Sequence, residues 1–126
     1  MRVIYVAGPF RGPTAWDVEQ HIRWAEEQAL AIWRLGAAAL CPHTNSRFFH
    51  GAAPEAVWLD GYLEMLSRCD AVLMVDGWRN SAGAQAEHRA AEVQQKPVFY
   101  SICELSEWLK ELLRFGFSAV VEQDKQ

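Results

Sequence analysis

The sequence predicts an α/β fold in which one parallel sheet of four to five strands is flanked by helices. Three observations predict it. Short apolar runs at residues 2–7, 37–41, 71–75 and 97–101 alternate with longer segments of helical periodicity, the pattern of successive βαβ units. The first run, RVIYVA, is nearly continuously apolar, as expected of a central parallel strand covered on both faces. Turn-forming residues then close three of the four runs: Gly8-Pro9, Pro42 and Asp76-Gly77.

The elements follow in order. After the strand at 2–7 comes the turn-rich loop Gly8-Pro9-Phe10-Arg11-Gly12-Pro13. Thr14 then has the chemistry of a helix N-cap, with Asp17 three residues on as its capping-box partner. Val18, Ile22, Ala25, Ala29 and Ile32 recur at spacings of four and three, which predicts an amphipathic helix over 15–35 closed by Gly36. Residues 37–41 (AAALC) form a second strand stopped by Pro42. Residues 42–54 show no period and read as an irregular loop able to fold over a site. A helix spans 55–68, with Gly61 in its middle as a possible point of division. The third strand, 71–75, leads through a polar turn at 76–82 into a helix over about 84–95. A fourth strand at 97–101, a helix at 104–115 and a short edge strand at 117–121 (FSAVV) complete the chain.

Connected by right-handed crossovers, these elements make a single-domain flavodoxin/Rossmann-like sheet in strand order 2-1-3-4-5. The topological switch point then lies between the first and third strands, where such sheets bind ligands. That places the 8–12 loop and the 76–83 loop on one crevice. The length of 126 residues suits one domain over 1–126 with its own core. The net charge of −4 excludes a general grip on a nucleic-acid polymer and leaves room for a local phosphate pocket. Cys41, Cys69 and Cys103 are odd in number and widely spaced, which fits reduced thiols in a cytoplasmic protein. No apolar run approaches the roughly 20 residues of a membrane span.

Two loops could carry chemistry. Backbone N–H groups at a helix start beside Arg11 suit a phosphate or another anion. The loop is neither a Walker sequence nor a dinucleotide fingerprint, and the plainer alternative is a turn with a solvated Arg11. In Ser81-x-Gly83-x-x-x-Glu87, Ser81 can cap the helix and Gly83 admits a ligand close to the backbone. A helix N-terminus favours an ionised Glu87, and such a carboxylate can act as a nucleophile toward a sugar carbon. The alternative is a capped helix with an ordinary Glu. Asp76 ends the third strand, where it either orients a ribose hydroxyl or forms the turn. His43, His50 and His88 lack a metal-ligand spacing, so no metal is expected. His43, at the crevice edge, is open to a base or sugar contact as well as a structural role. Of six Trp, Trp24 lies off the apolar stripe and Trp58 and Trp78 flank loops, as core, subunit contact or base-stacking surface.

At these loops the sequence resembles the nucleoside 2-deoxyribosyltransferase-like superfamily, which includes deoxynucleoside 5′-monophosphate N-glycosidases and the DUF4406 family. The resemblance rests on Tyr5-Val6-Ala7-Gly8-Pro9-Phe10, Cys41-Pro42-His43-Thr44-Asn45, the stretch from Leu66 to Val72 and, most specifically, Gly77 to His88. DUF4406 is the nearer match. The resemblance implies that Glu87 attacks C1′ of the sugar, and that Ser81 and Gly83 contact a 5′-phosphate. It implies that Arg11, with Gly8, Phe10 and Gly12, forms the other half of the phosphate site. In the characterised enzymes a second carboxylate stands eight residues before the position of Asp70. Here Tyr62 occupies it, with Asp60 two residues earlier, a helical rotation of about 200°. Protonation of the leaving base then falls to Asp60, to Tyr62 or to a histidine such as His43. The resemblance further implies N-glycosidase or N-glycosyl-transfer chemistry without a cofactor on a small-molecule nucleotide or nucleoside, in a homodimer or higher homo-oligomer. A non-catalytic nucleotide-binding module of the same fold is the alternative.

Overall fold

A computed structural model describes the backbone of residues 1–124 and the side chains of residues 1–114. The strands β1 (Val3–Ala7), β2 (Ala38–Leu40), β3 (Ala71–Met74) and β4 (Val98–Phe99) form one sheet in order β2-β1-β3-β4, with every neighbouring pair parallel. The helices are α1 (Ala15–Arg34), α2 (Pro42–Asn45), α3 (Glu55–Ser67), α4 (Ala82–Val93) and α5 (Ile102–Asp124). The predicted strand order holds for the four strands.

Because side chains alternate across a strand, β1 divides two apolar layers. Ile4 and Val6 pack with Leu73 and Val75 beneath Ala25, Ala29 and Ile32 of α1 and Leu105 of α5. Tyr5 and Ala7 face the other way with Val72 and Met74, against Leu66 of α3 and Ala84 and Ala91 of α4. The register pairs Ala7 with Met74, so β1 and β3 end together and their following loops emerge side by side. At the other end of the pair, Asp70 clamps the entry to β1. Its carboxylate accepts from the Val3 N–H at 2.7 Å, and its own N–H donates to the Val3 carbonyl at 2.8 Å.

Thr14 caps α1, and the Thr14–Asp17 capping box forms as expected. Three expectations are corrected. The loop after β2 begins with a one-turn helix, α2, in which Pro42 occupies a first-turn position and needs no hydrogen-bond donor. Gly61 does not divide α3, which runs unbroken; a mid-helix glycine costs only about 1 kcal/mol. Residues 117–121 are not a fifth strand, because they lie within α5. No proline separates them from the preceding helix, and a short apolar run does not by itself distinguish strand from helix.

Removing the Asp70 clamp leaves the Val3 N–H without its acceptor at the sheet's entry. Asp70→Ala is expected to cost about 1–3 kcal/mol, read as a melting temperature lowered by roughly 5–10 °C in a thermal denaturation scan.

Candidate active site

The loops after β1 and β3 meet in a cavity of about 830 Å³, within the size range of small-molecule sites. α1 contributes Asp17, His21 and Trp24 to one wall, and α3 contributes Glu55, Trp58, Leu59 and Tyr62 to another. These residues recur every three or four positions, so each set is one helical face. The β1 loop supplies Gly8 to Pro13; the segment after β3 supplies Asp76, Gly77, Asn80 and Ser81 to Ala84. Glu87 of α4 completes the wall.

The β1 loop is held from two sides. Its carbonyls can only accept, so the histidines facing them donate: His43 Nε2 lies 2.8 Å from the Pro9 carbonyl and His21 Nδ1 lies 3.1 Å from that of Phe10. His43 is buried, and burial lowers its pKa. With Nε2 protonated toward Pro9, its Nδ1 carries a lone pair and has no protein partner. Gly8 lies directly under the site, where a Cβ would stand 2.8 Å from Val75 Cβ.

On the facing side, Gly77 takes φ +90° and opens a 3₁₀ turn at Trp78–Asn80, a backbone region that glycine enters without steric cost. Ser81 then caps α4, its Oγ accepting from the Ala84 N–H at 3.2 Å. The first intrahelical bond runs from the Gln85 N–H to the Ser81 carbonyl. The N–H groups of Ala82 and Gly83 precede it and are left for a ligand or solvent. A Cβ at Gly83 would meet nothing within 4 Å, so the approach to that helix end is open. Trp78 is fixed from behind by stacking on His88 at 4.3 Å between ring centroids.

Glu87 corrects one expectation. It lies in the second turn of α4, whereas the helix-terminus field fades within the first turn. The dominant influence is burial, which raises its pKa from the usual carboxylate value to about 7. The opposing influence is Tyr5, a residue that sequence reasoning missed as a site residue. Its hydroxyl is buried on β1 with no hydrogen-bond partner, and it lies near enough to Glu87 that its donor tip favours the ionised carboxylate. Burial, then the Glu87 charge, raises the Tyr5 pKa far above its ordinary value, so the phenol remains a donor. The signal was a polar-tipped aromatic inside an otherwise apolar buried strand.

The sequence-predicted residues Gly8, Phe10, Arg11, Gly12, His43, Asp76, Ser81, Gly83, Tyr62 and Glu87 all line this cavity. Asp60 does not: it is exposed on α3 and lies outside the cavity wall. The Tyr62 hydroxyl donates to Ser46 Oγ at 2.6 Å and receives the Asn45 amide at 3.1 Å, which ties it to the segment around α2. Among the described residues no group of three or more His, Cys, Asp or Glu is placed to hold a metal. None of the described helices is long and apolar enough to cross a membrane.

Comparison with known proteins fits this architecture. The chain belongs to the family described as a domain of unknown function, DUF4406, whose model matches residues 2–100. No curated protein matches it. Its fold is similar to that of a 2-deoxyribosyltransferase from the psychrotolerant bacterium Bacillus psychrosaccharolyticus, at TM-score 0.56 and 22% identity over 76% of this chain and 69% of that one. It is also similar to a 2-desoxiribosyltransferase from Leishmania mexicana, at TM-score 0.56 and 17% identity over 78% of this chain and 62% of that one.

The Glu87 environment has two measurable consequences. Its side-chain titration, followed by carboxyl carbon NMR, is expected to centre near pH 7 and to move higher in Tyr5→Phe, which loses the nearby phenolic donor that favours the anion. In the native state Glu87 holds its proton to higher pH than in the unfolded chain. Stability therefore falls as pH rises from about 4.5 to about 7 and is flat beyond. Glu87→Gln removes that fall, so denaturant unfolding at pH 8 should show the variant more stable than wild type, on the order of 1–3 kcal/mol with its partial exposure allowed for. At pH 4.5 the two should be close.

Proposed function

Taking membership of DUF4406 as the premise, we propose that the chain is an N-glycosidase or N-glycosyl transferase acting on a nucleoside 5′-monophosphate. The observation that carries this reading is Glu87, a partly buried carboxylate in a cavity wall with a phenolic donor beside it and an open helix end nearby. Ionised Glu87 attacks C1′ through an oxocarbenium-like transition state. The C1′–N bond breaks with its electron pair leaving on the base, and a glycosyl-enzyme ester forms. Water or a second base then attacks C1′ and releases the carboxylate. The chemistry requires neither a metal nor an organic cofactor.

In this reading Arg11, the Ser81 hydroxyl and the N–H groups of Ala82 and Gly83 receive the phosphate. Asp76 faces the sugar, and the walls bearing Phe10, Trp24 and Trp58 receive the base. The neutral His43 fixes the β1 loop through Pro9. Of the three groups expected to protonate the base, Tyr62 and His43 stand in the wall and Asp60 stands outside it. The two fold relatives are described as deoxyribosyltransferases, which supports the reaction class. The chain acts in this reading as a homodimer or higher homo-oligomer, for which exposed Trp16 and Trp33 on α1 offer apolar surface.

One observation favours a second reading, a nucleotide-binding module without catalysis: the Tyr62 hydroxyl is already engaged, and the carboxylate that α3 does bring to the cavity, Glu55, is paired with Arg11. Incubation with a panel of deoxynucleoside and ribonucleoside 5′-monophosphates separates the two. The enzyme reading expects free base by chromatography, a rate that rises with pH through about 7, and a loss of at least about 10³-fold in Glu87→Ala. Nucleotide bound in calorimetry but recovered intact selects the binding module. Equal base release by Glu87→Ala removes Glu87 from the mechanism.

A further inference from the structure

The charge balance of the cavity points to a residue that sets its specificity. Among the described residues lining it, Arg11 is the one Arg or Lys, set against the carboxylates of Asp17, Glu55, Asp76 and Glu87. That guanidinium is already engaged: Arg11 forms an ion pair with Glu55, the first residue of α3. The pair crosses the cavity mouth from the β1 loop to the opposite helix. Both side chains are largely exposed, at 72% and 58%, so nothing in the packing locks either in place and both can exchange partners.

Resting on the nucleotide reading above, we propose that Glu55 determines the choice between a nucleoside monophosphate and the unphosphorylated nucleoside, by competing with the phosphate for Arg11. When the phosphate enters, Arg11 leaves Glu55 and makes a charge-assisted contact with the phosphoryl oxygens, the stronger partner for a guanidinium fork. A site whose competent form is only partly populated binds its ligand more weakly in proportion to that fraction. Glu55 therefore weakens phosphate binding and leaves nucleoside binding nearly untouched. It holds the discrimination below what Arg11 alone would give.

An exposed ion pair contributes little, so the expected change is modest but directional. Calorimetry is run with the four common 2′-deoxynucleoside 5′-monophosphates and their nucleosides on wild type, Glu55→Gln, Arg11→Ala and the double variant. Glu55→Gln should raise the ratio of monophosphate to nucleoside affinity about threefold or more. Arg11→Ala should lower that ratio, and in its background Glu55→Gln should add little, since there is no guanidinium left to release. Wild type that binds monophosphates while Glu55→Gln leaves the ratio unchanged or lower overturns the inference and spares the nucleotide reading. An equal gain with and without Arg11 also overturns it, because the effect would then be plain repulsion between two anions. Monophosphates that bind neither wild type nor Glu55→Gln overturn both.

Discussion

A side chain at position 8 would collide with Val75, and the candidate site depends on that missing atom. β1 and β3 are neighbours in register, with Ala7 opposite Met74, so the residues that follow them leave the sheet at the same level. With Gly8 in place the two chains stay in contact until they diverge, and the loops open outward from a common floor. The sheet is parallel and both its faces are covered, which leaves this end of the strands as the place where backbone polar groups can meet a ligand. The cavity is thus a consequence of topology, made usable by one small residue.

What fills the floor is an electrostatic compromise. Tyr5 belongs to the same buried layer as Leu66, Val72 and Ala84, and its ring serves the core as any aromatic would. Its hydroxyl has no hydrogen-bond partner and lies near Glu87. Burial alone would hold Glu87 neutral; the phenol pulls it back toward the anion, and the balance falls near neutrality. A carboxylate poised there is costly to the fold and useful to chemistry, the combination expected at functional sites. The cost is tolerable because Glu87 is not sealed in: it reaches the cavity wall, where solvent or substrate can share its charge.

Much of this was legible in the sequence because it rests on local chemistry. The alternation of apolar runs with 3.6-residue periodicity gave the strand order, Thr14-x-x-Asp17 gave the start of α1, and Ser81 before a small-residue helix gave the start of α4. The site loops could be placed because strand order alone puts them together. The neighbourhood of Tyr5 and Glu87 is not legible in the sequence, since it depends on a helix distant in the chain that packs over the strand of Tyr5. The ionisation of Glu87 was misjudged for a related reason: proximity to a helix start is visible in sequence, whereas burial is decided by what packs over it. Residues 117–121 differ from expectation because a short run of β-branched and aromatic residues fits a helix as well as a strand.

The two ends of the cavity use opposite strategies. At the floor, Glu87 is partly buried with the neutral Tyr5 phenol nearby, so its charge is expensive. At the mouth, Arg11 keeps its solvent and is balanced by Glu55, so its charge is cheap and mobile. A ligand bearing a phosphate satisfies both conditions at once. On the proposed reading it would exchange one exposed ion pair for another at the mouth at little net cost, and would carry its sugar carbon inward to the partly buried carboxylate. An oxocarbenium-like carbon is a cationic partner for that group, and its charge exists only while the base–sugar bond is breaking. On the proposed reading the interaction with Glu87 would therefore be strongest in the transition state and weakest toward the intact substrate, which is the condition for catalysis and not merely for binding.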